Sequence, residues 1–274
     1  MIAFLLNNIN AIAALEKQKK VNKIFELAFE KLQKQVEEIL AKEKPEEGLK
    51  PEIIELRNQI KVIQTPIQTP PSVEHPVIDL GLPSGRLWAA YNIGSTSPWD
   101  ENCSYFAWGE TEPKDTYSWG NYKYCKDGDG HKLTKYCTEI EFGYNGFTDN
   151  KSKLRDEDDT ATVNWGNDWR MPTVDDFKEL YKYCENRWDA DYKEHGVPGQ
   201  VFKSKSAEIF FPAVGSMDTT LSNTSLYGLY WSSLGNAGSP YDALCLVFDF
   251  KYTHPDTRCT RCVGLPVRAV RRKN

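Results

Sequence analysis

The run Gln64-Thr65-Pro66-Ile67-Gln68-Thr69-Pro70-Pro71 divides this chain into two stretches that obey different rules. Proline fixes φ and removes a backbone donor, so neither a helix nor a central strand continues through such a run. It is expected to form a semi-extended linker over residues 64–76. Before it, residues 9–43 repeat apolar positions at helical spacing, with Ile9, Ile12, Val21, Ile24, Phe25, Ala28, Leu32, Val36, Ile39 and Leu40 on one face and Lys and Glu on the other. Glu16/Lys20, Glu30/Lys34 and Glu38/Lys42 stand in the favourable i,i+4 order. Pro45 to Gly48 end this helix, and a shorter one is expected from Pro51 to about Ile63, with proline in its first turn. Two helices cannot bury such a stripe alone. Residues 1–63 are therefore expected to dock or to form a homo-oligomer, and the mixed spacing admits a coiled coil without fixing strand number.

After the linker the periodicity disappears. From Val77 the chain is rich in Gly, Trp, Tyr and Ser, with short apolar runs between turn signals. That predicts many short strands with long loops over residues 77–274. One helix is expected within it, Asp175 to Tyr183, capped by Thr173 with Asp176 three residues on; Phe177, Leu180, Tyr181 and Cys184 form its apolar face. The fold class is α+β, with a helical segment preceding the strand-rich domain.

Charge and composition narrow the partners. The formal net charge is -5, and no basic stripe interleaves with aromatic residues, which argues against nucleic acid. The basic end, Arg268, Arg271, Arg272 and Lys273, reads as a solvated terminus. No stretch approaches the ~20 apolar residues of a membrane helix. Met1 to Leu6 is apolar but short, lacks a basic n-region and runs into Asn7 and Asn8, so no signal peptide is expected. Seven cysteines, an odd number in a long chain, leave the redox compartment open.

The C-terminal region has an unusual residue usage. Lys, Glu, Gln, Met and Trp make up 63 of 274 residues, yet among the 46 positions from Asp218 to Val263 only Trp231 and Lys251 belong to these types. These five cannot be made by replacing the adenines of an Asn codon, whereas the types that fill the window can. A β-rich segment also lacks Lys, Glu and Gln, so composition alone leaves both readings open.

Several phrases then point the same way. They are Asp79-Leu80-Gly81-Leu82-Pro83-Ser84-Gly85-Arg86-Leu87-Trp88-Ala89, Tyr105-Phe106-Ala107-Trp108-Gly109-Glu110-Thr111, Asn164-Trp165-Gly166 with Trp169-Arg170-Met171-Pro172-Thr173, Tyr230-Trp231-Ser232-Ser233, and Gly264-Leu265-Pro266-Val267-Arg268. Together, from Val77 to Val270, they resemble the Fibrobacter succinogenes major paralogous domain, abundant in gut Bacteroidetes. The Arg-Met-Pro-Thr phrase is also similar to the formylglycine-generating-enzyme-like group. The resemblance implies a C-type-lectin-like fold, and a place on a cell surface or virion. A narrower likeness is to the variable proteins of diversity-generating retroelements, whose mutable residues lie near the C-terminus. It implies a constant frame of Ala243, Leu246, Phe248, Arg261, Gly264, Val267 and Arg268. The ligand-binding positions would be Asp242, Leu244, Cys245, Val247, Asp249, Tyr252, His254, Asp256, Thr257, Arg258, Cys259, Thr260 and Cys262, with Val263 beside them. Leu246 and Phe248 are expected inward, Cys245, Val247 and Asp249 outward, and Tyr252 to Thr260 as an exposed loop. Lys251 would be templated.

The function expected is binding of a protein or glycan, without chemistry. An enzyme on the formylglycine-generating-enzyme-like scaffold is the alternative, but its cysteine pair lies well upstream of the closing phrase, whereas Cys262 is two residues before Gly264. A structural surface or virion component is a third reading. Cys259-x-x-Cys262 with Cys245 and His254 could be drawn as a zinc site, though a lone CxxC is a weak signal. Asp156-Glu157-Asp158-Asp159 with Asp149, or Asp127-Gly128-Asp129-Gly130, could hold Ca²⁺; the second lacks the Glu of an EF-hand loop. No cofactor or catalytic residue is assigned. His75, His131, His195 and His254 sit in no nucleophile motif.

Overall fold

A computed structural model describes residues 75–272, all within the second of the chain's two units, Glu74–Asn274. The expected helices at 9–43 and 51–63 and the Pro-rich run lie outside the described residues.

The elements follow in chain order as β1 (Val77–Asp79), β2 (Leu87–Ala89), β3 (Cys125–Lys126), β4 (Asp129–Leu133), α1 (Thr160–Trp165), β5 (Trp169–Arg170) and α2 (Val174–Tyr183). Then come β6 (Glu185–Asp189), β7 (Gly199–Lys203), β8 (Glu208–Pro212), β9 (Ser216–Met217), β10 (Leu221–Ser222), β11 (Gly228–Gly235), β12 (Asp242–Phe248), β13 (Thr253–Thr260) and β14 (Val270–Arg271). They form several small antiparallel sheets with few helices. The orders are β1-β2-β14-β5, β6-β7-β8 and β11-β12-β13, with two-stranded ribbons β3-β4 and β9-β10. No described helix is long and apolar enough to cross a membrane.

Strand β14 pairs with both β2 and β5, placing Val270 opposite Trp88 and Arg170. The end of the domain is thereby sewn to its beginning. The sheet β11-β12-β13 lies between two apolar clusters. On one side Tyr230, Leu246 and Phe248 pack with Trp88, Phe177, Leu180 and Phe211. On the other, Trp231, Ala243 and Cys245 pack with Trp108, Tyr136 and Leu265. Burial on both faces explains why β11 and β12 read as apolar runs without clean alternation. Gly228 is required at the start of β11, since a Cβ there would lie 1.9 Å from the ring of Phe248, its cross-strand partner.

Helix α2 starts where its sequence predicts. Thr173 accepts a hydrogen bond from the Asp176 amide (3.2 Å), and Asp176 accepts one from the Thr173 amide (2.7 Å), a complete capping box. Asp176 also pairs with Arg170 (2.7 Å) and Arg86 (3.2 Å), tying the helix to β5 and the loop before β2. This tether rotates the buried stripe toward Asp176, Phe177, Leu180 and Cys184. Tyr181, expected in the apolar face, is left 43% exposed at its edge.

Candidate functional site

The phrases that carry the family resemblance are far apart in sequence and meet in the core. Phe106 and Leu265 exchange backbone hydrogen bonds at 3.0 Å in both directions. The Trp231 indole donates to the Phe106 carbonyl (2.7 Å), and the Trp108 indole to the Ser232 carbonyl (2.9 Å). The Ser233 amide donates to Pro172 (2.7 Å). Trp88, Trp108 and Trp231 are all fully buried.

Two arginines complete this frame without a carboxylate. Arg268 donates to Asn92 Oδ1 (2.8 Å) and the Ala90 carbonyl (3.1 Å), with its guanidinium 4.5 Å from the Phe211 ring centre. Burial pushes its pKa down to about 10, so it stays charged at neutral pH. Arg261 donates to the Tyr136 carbonyl (2.7 Å) and lies 4.6 Å from the centre of the Trp108 ring. Ala243, Leu246, Phe248, Gly264 and Val267 are likewise buried.

On this frame the segment Asp242–Val263 divides in two. Strand β12 is central, and β13 is the edge of its sheet. The expected outward-facing Cys245 is fully buried, together with its neighbour Leu246. The cause is that both faces of β12 are covered: Leu246 packs with Tyr230 and Phe177 on one side, while Cys245 packs with Ala243, Trp108 and Trp231 on the other. Beside it β13 bulges by one residue, since Cys245 pairs with Thr257 and Val247 with His254. Leu244 and Val247 are half-buried, as is Asp242. Cys262 is buried as well, because the chain turns into the core right after β13.

The expected exposed loop Tyr252 to Thr260 is mostly strand. Tyr252, His254, Asp256 and Arg258 are exposed, alternating with half-buried Thr253, Pro255 and Thr257; Cys259 and Thr260 are half-buried too. The period is that of an edge strand with one face in solvent. Pro255 is tolerated there because an edge position has a free N–H side. Asp256 reaches Lys178 on α2 at 2.9 Å, and both side chains are about half exposed.

The turn from β12 to β13 is rigid. Asp249 accepts from the amides of Lys251 (2.7 Å) and Tyr252 (2.8 Å), and its own amide donates to the Tyr252 carbonyl (2.9 Å). This turn, the start of β13, the edge strand β6 and the end of α2 enclose a cleft of about 240 Å³. Tyr181, Asn186, Trp188, Gln200, Tyr252 and His254 all line it. Tyr252 is 61% exposed, and its ring lies 6.0 Å from that of His254, 28° from parallel. Tyr252 and His254 are among the positions assigned from sequence; Tyr181, Asn186, Trp188 and Gln200 are not. Tyr181 read as part of the apolar face of its helix, and nothing local marks Trp188 or Gln200 as facing a cleft.

The metal-ligand patterns do not converge. Among the described residues no group of three His, Cys, Asp or Glu side chains comes together. Cys245 and Cys259 meet side by side, but His254 is exposed and Cys262 points into the core. The hydrogen bond to Cys259, together with burial, pushes the Cys245 thiol up, and burial pushes Cys262 up to about 12. Both shifts favour the protonated thiol, while the same hydrogen bond draws the Cys259 thiol down. In the acidic run, Asp158 accepts from Tyr124 and Tyr136 and pairs with Lys135. Asp159 caps α1 through the Thr162 amide (2.9 Å), and Asp156 pairs with Arg272 (2.7 Å). Asp127 and Gly128, both at positive φ, form the tight turn of the β3-β4 hairpin.

Compared with known protein families, with curated proteins and with solved structures, the chain has no match in any of the three.

Proposed function

We propose that this chain is a ligand-binding protein in which a C-type-lectin-like scaffold displays a replaceable edge strand, as in the variable proteins of diversity-generating retroelements. One observation carries the reading. The residues left in solvent by the Asp242–Val263 segment lie on β13 and its entry turn, while the proposed constant positions are buried. Such an edge can change side chains without changing the core behind it. Cys245 and Cys262 are withdrawn from the contact surface, leaving Tyr252, His254, Asp256 and Arg258 at its centre. The remaining assigned positions, Asp242, Leu244, Val247, Asp249, Thr257, Cys259 and Thr260, form its half-buried border. The ligand is a protein or glycan, held by shape and by mixed aromatic and polar contacts. The N-terminal segment would multiply weak sites by self-association, which light scattering on the full chain checks; a monomer would contradict that part.

The deciding experiment is sequencing the gene's surroundings. The proposal expects a reverse-transcriptase gene beside a near-copy of the 3′ end, with differences confined to adenine positions in the codons of Asp242 to Val263. A solitary gene whose 3′ end has no near-copy would overturn it.

A further inference from the structure

We propose that the cleft between β6 and the β12–β13 turn is a calcium-independent site for a neutral sugar ring. The inference rests on the reading of the chain as a ligand-binding protein, and it assigns that protein a ligand class and three contact residues outside the C-terminal segment. Gln200 is only 3% exposed, yet its side-chain amide lines the cleft and has no protein hydrogen-bond partner among the described residues. An amide so placed is free to hydrogen-bond a hydroxyl-bearing ligand in the cleft. The amide offers two donors and one acceptor, which suits adjacent hydroxyls that both give and take hydrogen bonds.

Gln200 pairs in register with Trp188, and cross-strand partners share a face, so the amide and the indole stand side by side. Trp188 is half-buried, its ring edge-on to Phe248 at 6.4 Å. Asn186, two residues back on the same face of β6, adds a second amide, this one exposed. Tyr252 and His254 supply near-parallel rings from the other sheet. Aromatic surfaces for C–H faces, next to neutral amides for hydroxyls, are the complement of a pyranose.

The charges around the cleft are already engaged. Arg187 is paired with Asp189 at 2.6 Å. Asp249 is spent on two amides of its own turn, and the Lys251 ammonium sits over the Phe250 ring at 5.0 Å. The Arg187 guanidinium on the lining is thus already shared with a carboxylate, which disfavours a phosphate or carboxylate ligand. The volume of about 240 Å³ is below the ~300–1,000 Å³ of sites for drug-sized molecules and suits one small ring. Since no cluster of three acidic or imidazole ligands forms among the described residues, hydrogen bonds and ring stacking carry the contact without a bridging cation.

Saturation-transfer NMR on the full chain tests this. The probes are glucose, galactose, mannose, xylose and N-acetylglucosamine with their short neutral oligomers, alongside adenosine, uridine and an extended neutral peptide. At least one sugar is expected to receive saturation on one ring face, unchanged by EDTA. Trp188→Ala should weaken it about tenfold or more, and Gln200→Leu, which keeps the side-chain volume and the fold, roughly fivefold. Lys205→Ala, on the exposed turn between β7 and β8 and outside the cleft, should leave it intact. The proposal is overturned if no sugar is saturated, if nucleosides or the peptide bind instead, if EDTA abolishes binding, or if Gln200→Leu binds as the parent does. None of these outcomes bears on whether a reverse transcriptase accompanies the gene, so the sugar site can fail while the proposed function stands.

Discussion

Strands β12 and β13 are hydrogen-bonded neighbours from one short stretch of chain with one kind of composition, yet they do opposite work. β12 has a strand on each side and a core on each face, so Ala243, Cys245, Leu246 and Phe248 are buried. β13 has a neighbour on one side only, and every second residue from Tyr252 to Arg258 faces solvent. Residue usage cannot separate the two, because both use the types an Asn codon can yield. Position in the sheet separates them: burial follows from how many neighbours a strand has.

The sharpest way to break this comparison is to remove bulk from β12. Phe248→Ala should cost about 3–5 kcal/mol in urea denaturation, because the ring fills the space over Gly228 and between Tyr230 and Trp188. A loss under 1 kcal/mol would mean that β12 is no more fixed than its neighbour.

The helix that backs the sheet makes a second, pH-dependent test. Burial raises the Asp176 carboxyl, but Arg170 and Thr173 outweigh it and hold its pKa below the ordinary value. A group depressed in the folded state stabilises fully above its unfolded pKa and loses that contribution as pH falls through the folded one. The parent should therefore lose stability below about pH 4. Asp176→Ala, which strands two arginines, should cost roughly 3–5 kcal/mol at neutral pH and flatten the acid limb. An unchanged acid limb would remove Asp176 from the account.

Cys245 sharpens the comparison within the segment itself. Replacing the adenines of an Asn codon would also reach Tyr, but the buried position does not admit it: Cys245→Tyr should cost about 1–3 kcal/mol through overpacking against Trp231 and Thr257. A natural variant carrying a large residue there without loss of stability would contradict the placement of this strand.

How much was legible follows the same logic. Helix α2 was readable because Thr173 and Asp176 mark its start locally. The buried pair Leu246 and Phe248 was readable from apolar type. The burial of Cys245 was not, since it depends on a second apolar layer, with Trp108 and Leu265, that covers the other face of β12. Tyr252 to Thr260 read as an exposed loop, whereas pairing to β12 makes residues Thr253–Thr260 a strand. The cleft was invisible for a related reason. Trp188 and Gln200 reach it only through the β6–β7 register, and no local pattern links them to Tyr252.

The central claim is that the outer positions of β13 are free of the fold's stability. The most direct test is the melting temperature of a single variant carrying Tyr252→Asn, His254→Asn, Asp256→Asn, Arg258→Asn and Thr260→Asn. Losing the exposed Lys178–Asp256 pair costs at most about 1 kcal/mol, so the five together should lower the melting temperature by no more than about 5 °C. Leu246→Asn alone on β12 should lower it further than all five. A collapse of the five-fold variant, or a milder effect of Leu246→Asn, would contradict the account and make β13 part of the frame.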